Sequence, residues 1–474
     1  MKNAIKLALS LALVSVLSAC DGDDGQDGAV GAQGPAGPAG PAGPAAPNPP
    51  AGAVFVMTNE INNTNDGNAV AAFLRDEDGM LSFNGRFPTG GNGSTDFDGG
   101  EGLDPLISAY SLINTPDNRF LLAVNAGSNT VSSFRINTDF TLTLIDVEST
   151  DAAGTGAIGP NSIAYNDGLL YVTNIDADGD LGEPIQEGNV TGFELTETGQ
   201  LFPIPNSTRE LNNRPAAVRF SPNGDYLLIS SINAGSNQLV SLNEDSLVVY
   251  GVDDDGVLTA NQTDGVTSTL QNNVDGRNLP SAIGFEMIAR DGGIFAVVTE
   301  AREFQSDGAP PAFPELQTGS VSVWQLMPGG TLDPIQLDVP ASSAEENQRT
   351  ACWITVSPDG QNFWVSNALD ASITPFEFSG APGEIQISGD LTFGPNTPTS
   401  DFGLDLSTTP PTGAFRESDG FIDLDITDNG QFIYQLFGLT GGIGIYEVSG
   451  GQLTEVGIYE GNIPLMDTQG IVAL

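Results

Sequence analysis

The sequence predicts an all-β fold, a seven-bladed propeller of four-stranded blades. Three observations predict it: a recurring four-strand unit, an aromatic signature that appears seven times, and an incomplete unit at each end of the array. The best-formed unit is 159–201, GPNSIAYNDGLLYVTNIDADGDLGEPIQEGNVTGFELTETGQL. It parses into strands at 162–165, 169–173 and 189–195, with a fourth starting near Gln200. Asn166-Asp167-Gly168 and Glu197-Thr198-Gly199 supply turns, because Gly and Asn tolerate positive φ.

The signature lies on the third strand of each unit. An aliphatic residue is followed three places later by an aromatic. The pairs are Val70/Phe73, Val131/Phe134, Val190/Phe193, Leu247/Tyr250, Val321/Trp324, Ile373/Phe376 and Ile443/Tyr446. The hairpin ahead of the signature also repeats. It reads VRFSPNGDYLLISS at 218–231, ITVSPDGQNFWVSN at 354–367 and LDITDNGQFIYQLF at 424–437, with looser copies at 111–125 and 287–300. The first unit begins late: its 53–59 matches a second strand, and 470–474 reads as a spare first strand. Pairing these N- and C-terminal strands would close the ring and remove an open sheet edge.

Ahead of the repeats, residues 1–19 read as a signal segment, with Lys2 and Lys6 before an apolar run at 7–17. Leu17-Ser18-Ala19-Cys20 resembles the bacterial lipoprotein signal, which implies cleavage before Cys20 and a lipid on its thiol. The expected location is the cell envelope, periplasmic or at the cell surface, with the lipid as the membrane contact. Residues 20–52 then form a tether, with Gly at every third position from Gly22 to Gly43. This short collagen-like Gly-X-Y tract would form either an extended spacer, on the order of 75 Å at ~3.1 Å per residue, or a trimerising triple helix. The propeller is expected over 53–474.

Composition excludes several chemistries. The 61 Asp and Glu give a formal net charge of -47, and both lysines lie in the signal segment. Such a surface repels nucleic acid, which is rejected as a partner. The chain has no His, so a Ser-His-Asp triad and an imidazole base are ruled out. With no Lys after position 6 there is no Schiff base. Cys352 sits in an apolar strand and is expected to be a buried thiol.

The SPNG and SPDG turns, the strands YVTN at 171–174 and WVSN at 364–367, and the Val-x-x-Phe signature resemble the lactonase-type seven-bladed propellers. That family takes in 6-phosphogluconolactonase-like and carboxymuconate-cyclase-like proteins and overlaps the YVTN surface-repeat proteins. The resemblance implies a site at one mouth of the ring built from His, Arg and Glu. The chain has no His to carry over.

Loop lengths point to a working face. Loops joining first to second and third to fourth strands are short. Those on the other face are long, as at 175–188, 232–244, 301–319 and 394–420. Arg214, Arg277, Arg349 and Arg416 each precede a first strand there, and Arg302 follows a second strand. They make an anion site or pair with acidic neighbours and knit the loops. As an enzyme site, Glu300 or Glu60 would activate water while Arg214 and Arg349 hold a carboxylate or oxyanion. Asp176, Asp178, Asp180 and Glu187 have the spacing of a calcium loop, with Leu181 where such loops need Gly; no cofactor beyond that calcium is expected.

Two functions follow. One is a ligand-binding or surface-interaction protein whose long-loop face takes an anionic small molecule, a polysaccharide or a protein. The other is a lactonase-like hydrolase acting on a lactone or sugar acid at the Arg-rich mouth.

Overall fold

The computed structural model describes residues 49–61, 67–94, 104–176, 187–211, 213–232, 247–259, 281–301, 319–341, 351–368, 371–395, 404–405, 412–413, 419–464 and 467–474. Among them all regular structure is β. Contacts divide the chain between Pro47 and Asn48, a few residues ahead of the expected start of the propeller. The signal segment, Cys20 and most of the tether lie outside the described residues.

From the axis outwards, blade 2 consists of Leu112–Asn114, Phe120–Asn125, Thr130–Ile136 and Leu142–Ser149. Blade 3 is Ile158–Asn166, Leu169–Asp176, Asn189–Leu195 and Leu201–Pro203. Blade 4 shows Arg214–Phe220, Tyr226–Ile232 and Leu247–Gly251. Blade 5 is Ser281–Arg290, Gly293–Ala301, Gly319–Leu326 and Leu332–Pro340. Blade 6 is Ala351–Val356, Asn362–Asn367, Ser372–Phe378 and Ile385–Ile387. Blade 7 is Phe421–Ile426, Phe432–Phe437, Gly442–Ser449 and Gln452–Glu460. Each of the seven signature aromatics is buried on a third strand. The inner strands contact one another in succession around a closed circle.

Blade 1 closes the circle as expected. Its inner strand is Ile471–Ala473, followed outwards by Gly52–Met57, Ala69–Arg75 and Leu81–Pro88. Val54 pairs with Ala473 and Val56 with Ile471, antiparallel. Arg75 adds hydrogen bonds from Nε and Nη2 to the Leu474 carbonyl, at 3.2 and 3.1 Å. Gly52 is required here, because a Cβ would stand 2.1 Å from that same carbonyl oxygen.

The recurring Val-Thr-Asn and Val-Ser-Asn ends of second strands have a structural cause. Inner strands of blades 3 to 7 carry a register shift near their N-terminal end, as at Ala351/Trp353. A bulge leaves a carbonyl unpaired by the ladder, and a hydroxyl from the preceding blade fills it. Ser230 donates to Ile283 O, Thr299 to Cys352 O and Ser366 to Ile422 O. The Asn that follows the hydroxyl reaches its own third strand: Asn174 Nδ2 meets Asn189, and Asn367 Nδ2 meets Ser372 and Thr374. Second-strand hydroxyls of blades 4 to 6 thus stitch the ring, whereas Thr173 donates to Asn161 and Ser162 of its own blade.

Asn125, at the same place in blade 2, makes four such bonds. Its Nδ2 donates to Thr130 and Ser132 while its Oδ1 accepts from Asn68 and Thr89 of blade 1. Asn125→Ala strands several buried polar groups, and should cost about 3 kcal/mol at roughly 1 kcal/mol or more per lost partner. Urea denaturation checks this; an unchanged midpoint would deny Asn125 that role.

Glycines at the third-to-fourth turns of blades 1, 3 and 4 let those blades lie on the one before. At Gly79 φ is +83°, and a Cβ would stand 2.6 Å from the Phe432 ring of blade 7. Its carbonyl accepts a 2.8 Å bond from Tyr434 Oη. Cys352 is a buried thiol, as expected.

Candidate functional site in the central channel

One end of the channel is crossed by segment 104–110, which leads into blade 2. The segment touches five other blades. Leu106 N donates to Gln469, Ser108 Oγ to Asn161 O and Ala109 N to Ala216 O. Trp353 Nε1 donates to Ser108 O at 2.9 Å, and Tyr110 Oη to Phe285 O at 2.7 Å. Ile107 and Tyr110 adopt positive φ of 48° and 64°. Side chains seldom accept that conformation, and here the surrounding bonds impose it.

Beneath this strap lies a cavity of about 100 Å³. Its lining includes Tyr110, Arg219, Glu286, Trp353, Asp423 and Asp425. Arg219 Nη2 donates to Glu286 Oε1 at 2.6 Å, and its Cζ lies 3.4 Å from the Tyr110 ring centroid. Tyr110 Oη is 3.1 Å from the same Glu286 oxygen. Arg219 Nε is buried and without a hydrogen-bond partner among the described residues. Asp423 Oδ2 accepts from Gly470 N and Asp425 Oδ2 from Ala473 N, each at 2.8 Å, so these two carboxyls also hold the closing strand.

Burial dominates the electrostatics, since removal from water disfavours a carboxylate. It raises the Asp425 pKa to about 7, against opposing backbone hydrogen bonds from Ala473 and Ile426 and the nearby Arg219 charge. It raises Asp423 well above the carboxylate range, helped by the charge of Asp104. Burial and the Glu286 charge likewise raise the Tyr110 phenol. A carboxyl that titrates near neutrality beside a guanidinium can exchange protons and stabilise a developing oxyanion.

The other expected site residues lie elsewhere. Arg214 is buried and donates to Leu106 O at 3.3 Å, which pins the strap. Glu300 is buried at the register where other second strands carry Asn, and accepts from Ser320 Oγ at 2.6 Å. Glu60 pairs with Arg86 of the outer strand of blade 1. Neither glutamate lines the cavity. Asp176 is buried at a strand end and Glu187 is exposed. Arg277, Arg302, Arg349, Arg416, Asp178 and Asp180 lie outside the described residues. Among the described residues no group of three or more acidic or Cys side chains could hold a metal ion.

Sequence reasoning missed the channel residues, though a signal existed. Arg219, Thr355 and Asp425 each stand two places before the Ser or Thr that opens the hairpin turn. Aligning the hairpins on that turn exposes opposite charges at one position of the inner strand.

The family model described as Lactonase, 7-bladed beta-propeller matches residues 108–272. That match spans about a third of the chain, and the fold is that of a seven-bladed propeller. Among solved structures, this chain is similar to a putative 6-phosphogluconolactonase of Bacteroides fragilis, at 18% identity and TM-score 0.54, covering 89% of this chain and 98% of that one. It is similar to the periplasmic gluconolactonase of Pseudomonas aeruginosa at 16% identity and TM-score 0.57, covering 90% and 99%. A selenium-binding-protein-titled structure from Sulfolobus tokodaii shares the fold at 11% identity and TM-score 0.55, covering 90% and 94%. No curated protein sequence matches this chain. Identities this low speak for the fold, and one propeller fold serves many chemistries.

Proposed function

We propose that this chain is a lactonase-like hydrolase of the cell envelope that opens lactone rings in its central channel. The observation that carries the reading is the Arg219 guanidinium, held by Glu286, lining the same cavity as a carboxyl that titrates near 7. In the proposed step the Asp425 carboxylate takes a proton from water and the resulting hydroxide attacks the lactone carbonyl. The positive charge of the Arg219 guanidinium stabilises the oxyanion. The ring C–O bond then breaks, and the leaving alkoxide takes the proton back from Asp425. Lactone and water yield one hydroxy acid, with no redox change.

The envelope location rests on the lipoprotein-like signal at Cys20 and the tether. It agrees with the periplasmic location of the Pseudomonas aeruginosa gluconolactonase of similar fold. A binding protein without turnover is the second reading, favoured by the absence of His throughout the chain.

The test is lactone hydrolysis by the purified chain, followed against pH. Because Asp425 acts as a base, the rate should rise as pH passes through about 7. Asp425→Asn should lower kcat by roughly 10²–10⁴ and Arg219→Met by roughly 10². Turnover that Asp425→Asn leaves intact would sink the mechanism, and binding without turnover would favour the second reading.

A further inference from the structure

We propose that the channel cavity selects a small, uncharged ring ester, admits it from the short-turn face, and rejects lactones that carry a phosphate or carboxylate. This rests on the channel being the site, as proposed above, but makes a separate claim about substrate class.

Access follows from where the lining is covered. Segment 104–110 crosses the channel at the N-terminal ends of the inner strands, and Ala109, Trp353 and Asp423 beside it are buried. Towards the C-terminal ends, beside the short hairpin turns, Asn114, Arg219, Glu286 and Asp425 are partly exposed. The side chains of Arg219 and Glu286 are 26% and 22% exposed, so that end of the cavity meets solvent. The described part of the cavity is therefore approached from the face opposite the long loops.

Size follows from volume. An engineered apolar cavity of ~150 Å³ takes one benzene. The present cavity of about 100 Å³ accepts one small ring, with any substituent directed back towards the short turns.

Charge follows from the lining. Arg219 is its one cation among the described residues, and Glu286 already neutralises it. Asp425, titrating near 7, adds negative charge as pH rises. An anionic substituent would meet carboxylates and no unneutralised cation, in a protein of net charge -47. A neutral lactone escapes that repulsion, while the hydroxy acid released from it is an anion and is driven out.

The experiment is binding rather than turnover. The full chain is titrated with γ-butyrolactone, γ-valerolactone and 6-phosphoglucono-δ-lactone at pH 7.5, read by fluorescence of Trp353, which lines the cavity. Trp353→Phe identifies that signal, and calorimetry on the unmutated chain supplies a second measure of affinity. The expected result is that the uncharged lactones bind at least ~10-fold more tightly than the phosphorylated one, as a like charge within a few ångströms in a partly dry site requires. Glu286→Gln unmasks the Arg219 charge and should narrow or reverse that ratio by ~10-fold. Thr355→Phe at the short-turn side of the lining should weaken the uncharged ligands. Equal or tighter binding of the phosphorylated lactone overturns this inference and leaves the hydrolase reading intact. Tight binding of uncharged lactones without hydrolysis supports the inference and overturns the hydrolase reading. Absence of binding by all three overturns the inference.

Discussion

Val472→Asp is expected to destabilise the protein by at least ~4 kcal/mol and to open the ring. Val472 is 3% exposed in the closing strand and packs with Phe55, Leu112 and Leu122 of the neighbouring strands. An ionised carboxylate there has no cationic partner among the described neighbours, so it must pay desolvation or take up a proton. Loss of the strand also bares the edge of Gly52–Met57 to pairing with another chain. Val456→Asp is the control: Val456 is 37% exposed on the outer strand of blade 7, where a change within about 0.5 kcal/mol is expected. Urea unfolding of the two variants separates them. Equal midpoints would mean that closure contributes little.

Stability should fall as pH rises from about 4 to 7, opposite to the trend that paired carboxylates give. The sign follows from Asp425. Its folded pKa of about 7 lies above its ordinary 3.8, so between those values the folded chain binds more protons than the unfolded one. Stability therefore declines with pH across this window, and the contribution is present in full only below the unfolded value. Three pH units correspond to roughly 4 kcal/mol. Asp423, also raised by burial, acts in the same direction. General repulsion among 61 acidic residues adds to the slope, so the comparison that decides is with Asp425→Asn. That variant lacks the titration but keeps a side-chain acceptor for Ala473 N. Its melting temperature should vary distinctly less between pH 4 and 7. Parallel curves for the two proteins would mean that Asp425 titrates in its ordinary range when folded.

Much of the architecture was legible because a repeat reports on itself. The spacing from Val70 to Phe73 means little alone, but seven such pairs place the third strand of every blade. Closure was legible because 53–59 lacked a partner that 470–474 could supply. The channel was not. Arg219 sits inside VRFSPNG and Asp425 inside LDITDNG, where the turn and apolar residues dominate the pattern. Their convergence depends on the ring bringing blades 4 and 7 to one axis, which no local spacing encodes. Tyr110 was hidden for a related reason. Its part in the site comes from a strap whose contacts are with residues 161, 216, 285, 353 and 469, distant along the chain. Glu300 drew notice as a buried acid at a strand end, and its register shows it standing where sibling blades place a structural Asn.

The innermost strand of blade 1 is made some 400 residues after its neighbour, as the separation of 399 between Arg75 and Leu474 records. Blade 1 therefore stays a three-stranded sheet with a raw inner edge until the ribosome has delivered almost everything else. The circle cannot lock early. A chain lacking residues 471–473 cannot complete blade 1. Such a fragment keeps its adhesive edge and its unfilled seam, the features by which proteases find defective molecules. The closing strand thus makes the last joint of the ring wait on a segment distant along the chain.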